Sequence, residues 1–113
     1  MSATILTPAS VVCTTSLADL FANVATGKVR KINVRAANVG AAAANLDLTL
    51  YNGTTTVYRC KNYPVGYNDT TAAPDVESGL VIPAGWRIQV KASAGSNIEV
   101  SYDGIEADAT DFS

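Results

Sequence analysis

Histidine is absent from the 113-residue sequence. Without an imidazole, the Ser-His-Asp and Cys-His catalytic arrangements are excluded, and so are most zinc sites. There is no Cys-x-x-Cys spacing, and the glycines occur in turn-like contexts, not in a phosphate-binding loop. These absences predict a protein that is not an enzyme, with no catalytic residue, no cofactor and no metal site.

Charge is also scarce, at 16% of residues against 48% hydrophobic residues, with a formal net charge of −2. Globular domains carry roughly 25% charged residues. A low-charge surface suits a chain that packs against neighbours. The sequence offers no global basic field for nucleic acid, and no apolar run approaches the length needed to span a membrane. We therefore expect neither nucleic acid nor a membrane as a partner.

Basic residues nevertheless cluster locally, as Lys28, Arg30, Lys31 and Arg35. Alternation along a strand would place some of them on a solvent-facing surface. The cluster is therefore interpreted first as a solvated face and second as a contact patch for an acidic protein partner.

The two cysteines, Cys13 and Cys60, are far apart in the chain, and sequence alone cannot show that they are close in space. The first residues lack the basic and apolar regions of an export signal. Since disulfides belong mainly to oxidising compartments, we expect two buried free thiols.

Period-2 alternation of apolar and polar residues dominates the chain and is typical of half-buried strands. It occurs in four segments, residues 32–36, 46–50, 86–92 and 98–102. Short turn signals separate them, and Asn52-Gly53 is a strong hairpin signal. The sequence predicts one all-β domain over residues 1–113, a single antiparallel β-sandwich of seven or eight strands, jelly-roll-like or immunoglobulin-like.

Two segments are ambiguous. Residues 17–24 carry apolar residues at helical spacing, yet they are also consistent with a strand over residues 19–24, which we favour. Residues 41–44 are four alanines, too few to nucleate a helix, and are interpreted as a loop between strands.

Residues 62–78 form the longest irregular stretch, rich in turn-forming residues, and loops of this length are often functional. Tyr63 and Tyr67 could cover the end of the sandwich or anchor a protein contact. We predict Tyr63, Tyr67, Asp69 and Asp75 as partner-contact residues, together with both termini. Residues 106–113 are predicted to form an acidic tail.

Paired carboxylates could act as a general acid and base without histidine. Asp47, Glu99 and Asp103 are candidates, but alternation places all three on solvent-facing strand positions. The loop acids Asp69, Asp75 and Glu77 match no defined calcium-loop spacing. We therefore expect surface carboxylates here.

Three segments carry a family resemblance. They read LFANVATGKVRKINVRAANV from Leu20, AAAANLDLTLYNGTT from residue 41, and GLVIPAGWRIQVKASAGSNIEVSYDGIE from Gly79. Together they resemble small β-sandwich virion structural proteins of tailed bacteriophages, which serve as capsid decoration or cement proteins and as neck or tail components. The Pro-Ala-Gly turn, followed by a strand and an Ala-Ser-Ala-Gly hairpin, is the most characteristic part.

The resemblance implies a capsid decoration or cement protein that stabilises the shell through protein–protein contacts. Its partners would be the major capsid protein or other virion proteins, and the chain itself would form a homo-oligomer. Its location would be the virion, assembled in the cytoplasm of the host bacterium. The alternative is a neck or tail module that recognises a receptor glycan or a fibre, with Trp86, Tyr63 and Asp69 as candidate sugar contacts.

Overall fold

The four alternating segments become the central strands of two antiparallel sheets. A computed structural model describes residues 3–40, 42–65, 75–95 and 97–112. The strands in that part of the chain are β1 (Thr4–Ile5), β2 (Ala9–Val12), β3 (Ala18–Asp19), β4 (Lys28–Asn38), β5 (Ala44–Tyr51), β6 (Thr56–Val65), β7 (Asp75–Pro83), β8 (Arg87–Ala92) and β9 (Ile98–Asp108). A short 3-10 helix, Ala109–Phe112, follows β9.

The strand order identifies the connectivity. Sheet I has the order β1-β9-β4-β7, with β2 also paired to β9, and sheet II has the order β3-β8-β5-β6. The pairs β2·β9, β3·β8, β4·β7 and β5·β6 are those of one long hairpin, with its tip between β5 and β6, rolled into two layers. This is the jelly-roll arrangement, not the immunoglobulin arrangement. The predicted all-β sandwich is confirmed, with β1 as a short addition to eight jelly-roll strands.

The core lies between the inner faces of the two sheets. Fully buried aliphatic side chains come from all four central strands: Ile32, Val34, Leu46, Leu48, Ile88, Val90, Ile98 and Val100. Burial of each such side chain stabilises the fold by about 1.5–3 kcal/mol. Trp86 is partly buried and packs against this core, as its place in the alternation predicts.

The predicted loop over residues 62–78 is wrong at both of its ends. β6 continues to Val65 and β7 begins at Asp75, so only residues 66–74 separate the two strands. Pro64 makes the end of β6 hard to recognise in the sequence, because proline has no backbone N–H to donate to a neighbouring strand. It is tolerated there because β6 is an edge strand, paired to β5 alone.

The strand predicted over residues 19–24 is wrong except at Asp19, which ends a much shorter strand. β3 covers only Ala18–Asp19, and residues 20–24 then follow the edge of β8 without regular structure. The backbone N–H of Leu20 donates to Ile88 O, and that of Val24 donates to Trp86 O. Leu20 and Val24 have the spacing of a helix but do not form one. Both side chains are buried in the core although the segment that carries them is irregular. Residues 42 and 43 form the predicted loop, and Ala44 already belongs to β5.

Turn geometry follows the sequence signals. Gly53 has a φ of 102° at the tip between β5 and β6, and the Asn52 side chain accepts hydrogen bonds from the N–H groups of Thr54 and Thr55. Asn52 thus stabilises the turn through its side chain and does not itself adopt a positive φ. The hairpin predicted from Asn52-Gly53 is confirmed, with a loop longer than two residues.

Neither cysteine forms a disulfide, as predicted, but only Cys13 is fully buried. Cys13 is buried within the core, and burial raises the pKa of its thiol to about 11. Cys60 is partly buried and packs against the same core. No helix in the described ranges is long and apolar enough to cross a membrane.

The predicted acidic tail is wrong for residues 106–108, which belong to β9. The Glu106 carboxylate pairs with Arg30 at 2.9 Å, and the Asp108 carboxylate pairs with Lys28 at 2.6 Å. Arg30 is also 4.7 Å from the ring centroid of Phe21. Acidic residues near the C-terminus therefore pair across the sheet with the basic cluster of β4, and most of that cluster is not a free patch.

Asp103 lies on the outer face of sheet I, the face opposite to that of the Glu106 and Asp108 pairs, because successive strand residues alternate between the two faces. Its carboxylate accepts hydrogen bonds from Asn33 Nδ2 at 3.0 Å and from the Arg35 guanidinium at 2.8 Å. The Asn33 hydrogen bond, followed by that of Arg35, lowers the pKa of Asp103 below its ordinary value. A group with a lowered folded-state pKa stabilises the fold above its unfolded pKa, and that stability is lost as the pH falls through the folded pKa.

Asp103→Asn is therefore expected to reduce stability at pH 7 and to have a much smaller effect near pH 2. The reason is that the wild-type carboxyl takes up a proton as the pH falls through its lowered pKa, and its ionic contribution to stability is then lost. Urea unfolding of both proteins at the two pH values measures the difference. An equal loss at pH 7 and pH 2 would contradict the role given to the ionised carboxylate.

Candidate binding surfaces

The structure describes only part of the predicted contact set. Tyr63 lies on β6, is partly buried and packs against the core, so it covers one end of the sandwich. The backbone of Asp75 begins β7 and is in register with Arg35. Tyr67 and Asp69 lie outside the described residues. Tyr63 and Asp75 thus flank the β6–β7 connection at one side of the molecule, and the four contacts stay predictions.

Asp47 corrects the expectation that all three candidate carboxylates are exposed. Asp47 is only 6% exposed, although alternation correctly places it on the outer face of sheet II. Glu99 and Asp103 are partly exposed on the outer face of sheet I. Asp47 therefore lies on the opposite side of the sandwich from Glu99 and Asp103 and cannot form a catalytic pair with either of them.

Asp47 is buried because β6 bulges opposite it. The register shifts between Leu46 and Leu48, so that Asp47 faces both Lys61 and Asn62. Asn62 has a φ of 54°, and its backbone N–H donates to Asp47 Oδ1 at 2.7 Å. A positive φ is unfavourable for a residue other than glycine, and asparagine tolerates it best. The carboxylate thus holds the bulge in its conformation.

A cleft of about 330 Å³ opens over this bulge on the outer face of sheet II. Its walls include Asn45, Asp47, Lys61, Asn62, Lys91 and Ser93. We call this feature the outer cleft. Asp47 Oδ2 lies 3.8 Å from Lys91 Nζ, beyond hydrogen-bonding distance. Lys61 Nζ lies 5.0 Å from the ring centroid of the exposed Tyr58.

Removing the Asp47 carboxylate is expected to weaken the fold. Asp47→Ala leaves the Asn62 N–H without its acceptor and should cost about 1–2 kcal/mol of unfolding free energy. Asp47→Asn keeps an acceptor oxygen and should lose less. Urea denaturation measures both variants. An Asp47→Ala protein as stable as the wild type would show that the bulge does not depend on this hydrogen bond.

The outer face of sheet I presents a different surface, one row of neighbouring side chains that crosses four strands. Ile5 is in register with Ile105, Ile105 with Lys31, and Lys31 with Val81. Ile5 is 83% exposed and Val81 is 47% exposed. We call Ile5, Ile105, Lys31 and Val81 the apolar row. Ile5 and Ile105 are neighbours, and Lys31 separates Ile105 from Val81. Exposed apolar side chains grouped in this way mark contact surfaces more often than isolated ones do.

Metal and cofactor chemistry finds little support in the side chains that the structure describes. No group of three or more acidic or cysteine side chains converges as a metal site in that part of the chain. The two features that stand out are therefore binding surfaces, the polar outer cleft on sheet II and the apolar row on sheet I.

Sequence reasoning missed both surfaces. The apolar row includes Ile5, from a strand too short to show alternation. The outer cleft depends on a bulge, and its only sequence signal is the spacing of apolar residues in β6. Comparison with family models, curated proteins and solved structures finds no match for this chain.

Proposed function

We propose that this protein is a virion structural protein of a tailed phage, a capsid decoration protein that stabilises the shell through protein–protein contacts. The apolar row carries the proposal, because an 83% exposed isoleucine beside a second isoleucine, with an exposed valine two strands further along the row, favours a face that is covered in an assembly. The jelly roll is a fold used by capsid proteins, although the same fold serves lectins and cupins.

The mode of action in this proposal is passive. The major capsid protein, or another virion protein, covers the outer face of sheet I, and further copies of the chain join it as a homo-oligomer on the shell. Tyr63, Tyr67, Asp69 and Asp75 add contacts from the side of the β6–β7 connection. Because the protein binds the assembled shell and not its dissociated subunits, binding stabilises the shell by mass action.

Contact with another protein through a sheet face is favoured over the addition of that protein's strand to a sheet edge. β6 is a long edge strand, but two register shifts, Pro64 and the charged Lys61 interrupt the regular row of donors and acceptors that a new strand would need. Bulges, proline and charge are common protections of an edge. We therefore place the shell contact on the face of sheet I.

Shell stability tests the proposal. Capsid shells assembled without this chain should bind the purified protein saturably and should then resist heating to a higher temperature. The rise should follow protein concentration as expected for binding to the assembled shell alone. Shells whose disruption temperature is unchanged by saturating protein would refute a decorating role, and a chain confined to the neck or tail would give that result.

A further inference from the structure

We propose that the outer cleft is a binding site for an acidic saccharide, a ligand that combines several hydroxyl groups with a carboxylate. The proposal does not rest on a role in the virion, because it concerns the isolated chain and the face opposite the apolar row. It is carried by three observations on sheet II, which are the bulge, the buried carboxylate and the two lysines.

The bulge gives the cleft a fixed floor. In the described ranges, Asn62 is the only residue other than glycine with a positive φ. Backbone conformations of this kind persist where the surrounding structure imposes them, and they cluster at binding sites. The Asp47 hydrogen bond imposes this one, and it uses Oδ1. Oδ2 therefore keeps the capacity to accept a ligand hydroxyl at the base of the cleft.

Charge selects the acidic group of the ligand. Lys61 and Lys91 place two ammonium groups on the cleft, and Asp47 supplies one carboxylate. Lys91 is 3.8 Å from that carboxylate, and Lys61 has no carboxylate partner among the residues that the structure describes. One positive charge is left in excess at the rim, where it favours a carboxylate over a neutral or cationic group.

The remaining walls select the hydroxyl groups of the ligand. The amides of Asn45 and Asn62 and the hydroxyl of Ser93 can both donate and accept hydrogen bonds. Ala92 is the one described wall residue whose side chain is wholly apolar. The volume of about 330 Å³ is at the small end of ligand sites, which run from roughly 300 to 1,000 Å³.

The position of the outer cleft also suits a polymeric ligand, a chain of several sugar units. The cleft lies beside the edge strand β6, so a chain of sugar units can enter one ring and continue past the edge. Tyr58, 45% exposed and next to Lys61, offers a ring on which a neighbouring sugar unit can pack.

Titration of the full chain with a galacturonic acid tetramer tests the proposal, by calorimetry and by amide NMR shifts. Binding should shift the amides of Asn62 and Lys91 and should weaken several-fold between 50 mM and 500 mM NaCl. Lys61→Gln combined with Lys91→Gln should lower the affinity at least tenfold. Lys31→Gln, which removes one lysine charge from the apolar row on the opposite sheet, should leave the affinity unchanged.

Three arms separate the possible failures. A neutral galactose tetramer that binds as tightly as the acidic tetramer would refute selection by the lysines. Acetate that competes at concentrations equal to those of the tetramer would refute a saccharide site in favour of a general anion site. No binding of the tetramer, or binding that survives the double lysine substitution, would refute the site itself. All arms use protein whose circular dichroism matches the wild type.

Discussion

Gly104→Ala is expected to unfold the protein or to remove most of its stability. Gly104 is on the inner face of sheet I in β9, paired with Ile32 of β4, and has a φ of 151°. A β-carbon at this position would overlap the carbonyl oxygen of Lys31 and lie 2.8 Å from Ile32 Cα. Both obstacles are backbone atoms of a central strand, so neither can move without disturbing the sheet.

The expected loss is about 4 kcal/mol or more, a value that is exceptional for one substitution. Total stabilities of about 5–15 kcal/mol leave little margin for such a loss. Urea unfolding measures it, with Gly53→Ala as the matched control. Gly53 also has a positive φ, of 102°, but a β-carbon there meets no atom within 4 Å. The control isolates backbone strain, about 1–2 kcal/mol. Equal losses in the two variants would contradict the close approach at Gly104.

Ile5→Asp combined with Val81→Asp is expected to abolish binding to capsid shells and to leave the fold intact. Both side chains point away from the core, and Lys31 lies in the same row as Val81. Two aliphatic anchors at the centre of an interface, each worth about 1.4 kcal/mol or more, correspond to at least a hundredfold loss of affinity. Co-sedimentation with shells measures the affinity.

Val57→Asp is the control for that experiment. Val57 is 43% exposed on β6 of sheet II, far from the apolar row in the strand order. It adds one of the two negative charges that the double variant adds and should reduce shell binding little. If Val57→Asp weakens binding as much as the double variant, net charge controls the affinity and not the face of sheet I.

The sequence predicts the central strands well because each is buried on one face only. β4, β5, β8 and β9 carry regular alternation, and their inner side chains are the core. The choice between jelly roll and immunoglobulin order was left open by the sequence, since alternation specifies faces and not neighbours. Neighbours are set by long-range pairing, such as that between Lys28 and Asp108, which are 80 positions apart in the chain.

β6 shows why the outer cleft could not be predicted. Its inward residues are Val57, Cys60, Tyr63 and Val65, and the first three are three positions apart. A regular strand would place them two or four apart, so two bulges are needed to keep all of them inward. Because this spacing differs from regular alternation, the sequence places residues 62–65 in a loop, although they belong to β6.

The burial of Asp47 has the same origin. Its position in β5 alternates correctly toward the outer face, and an outer-face position predicts exposure. The bulge brings Lys61 and Asn62 over it and turns a surface carboxylate into the floor of a cleft. No pattern within β5 contains that information, because the covering residues belong to another strand.

Labelling of purified virions with a gold-conjugated antibody to this chain tests the central claim most directly. Virions of the wild type and of the Ile5→Asp/Val81→Asp variant, produced in parallel, should differ. The proposal predicts gold distributed over the whole surface of the wild-type head and a bare head in the variant. Gold confined to the neck or tail, or absent from virions altogether, would contradict it.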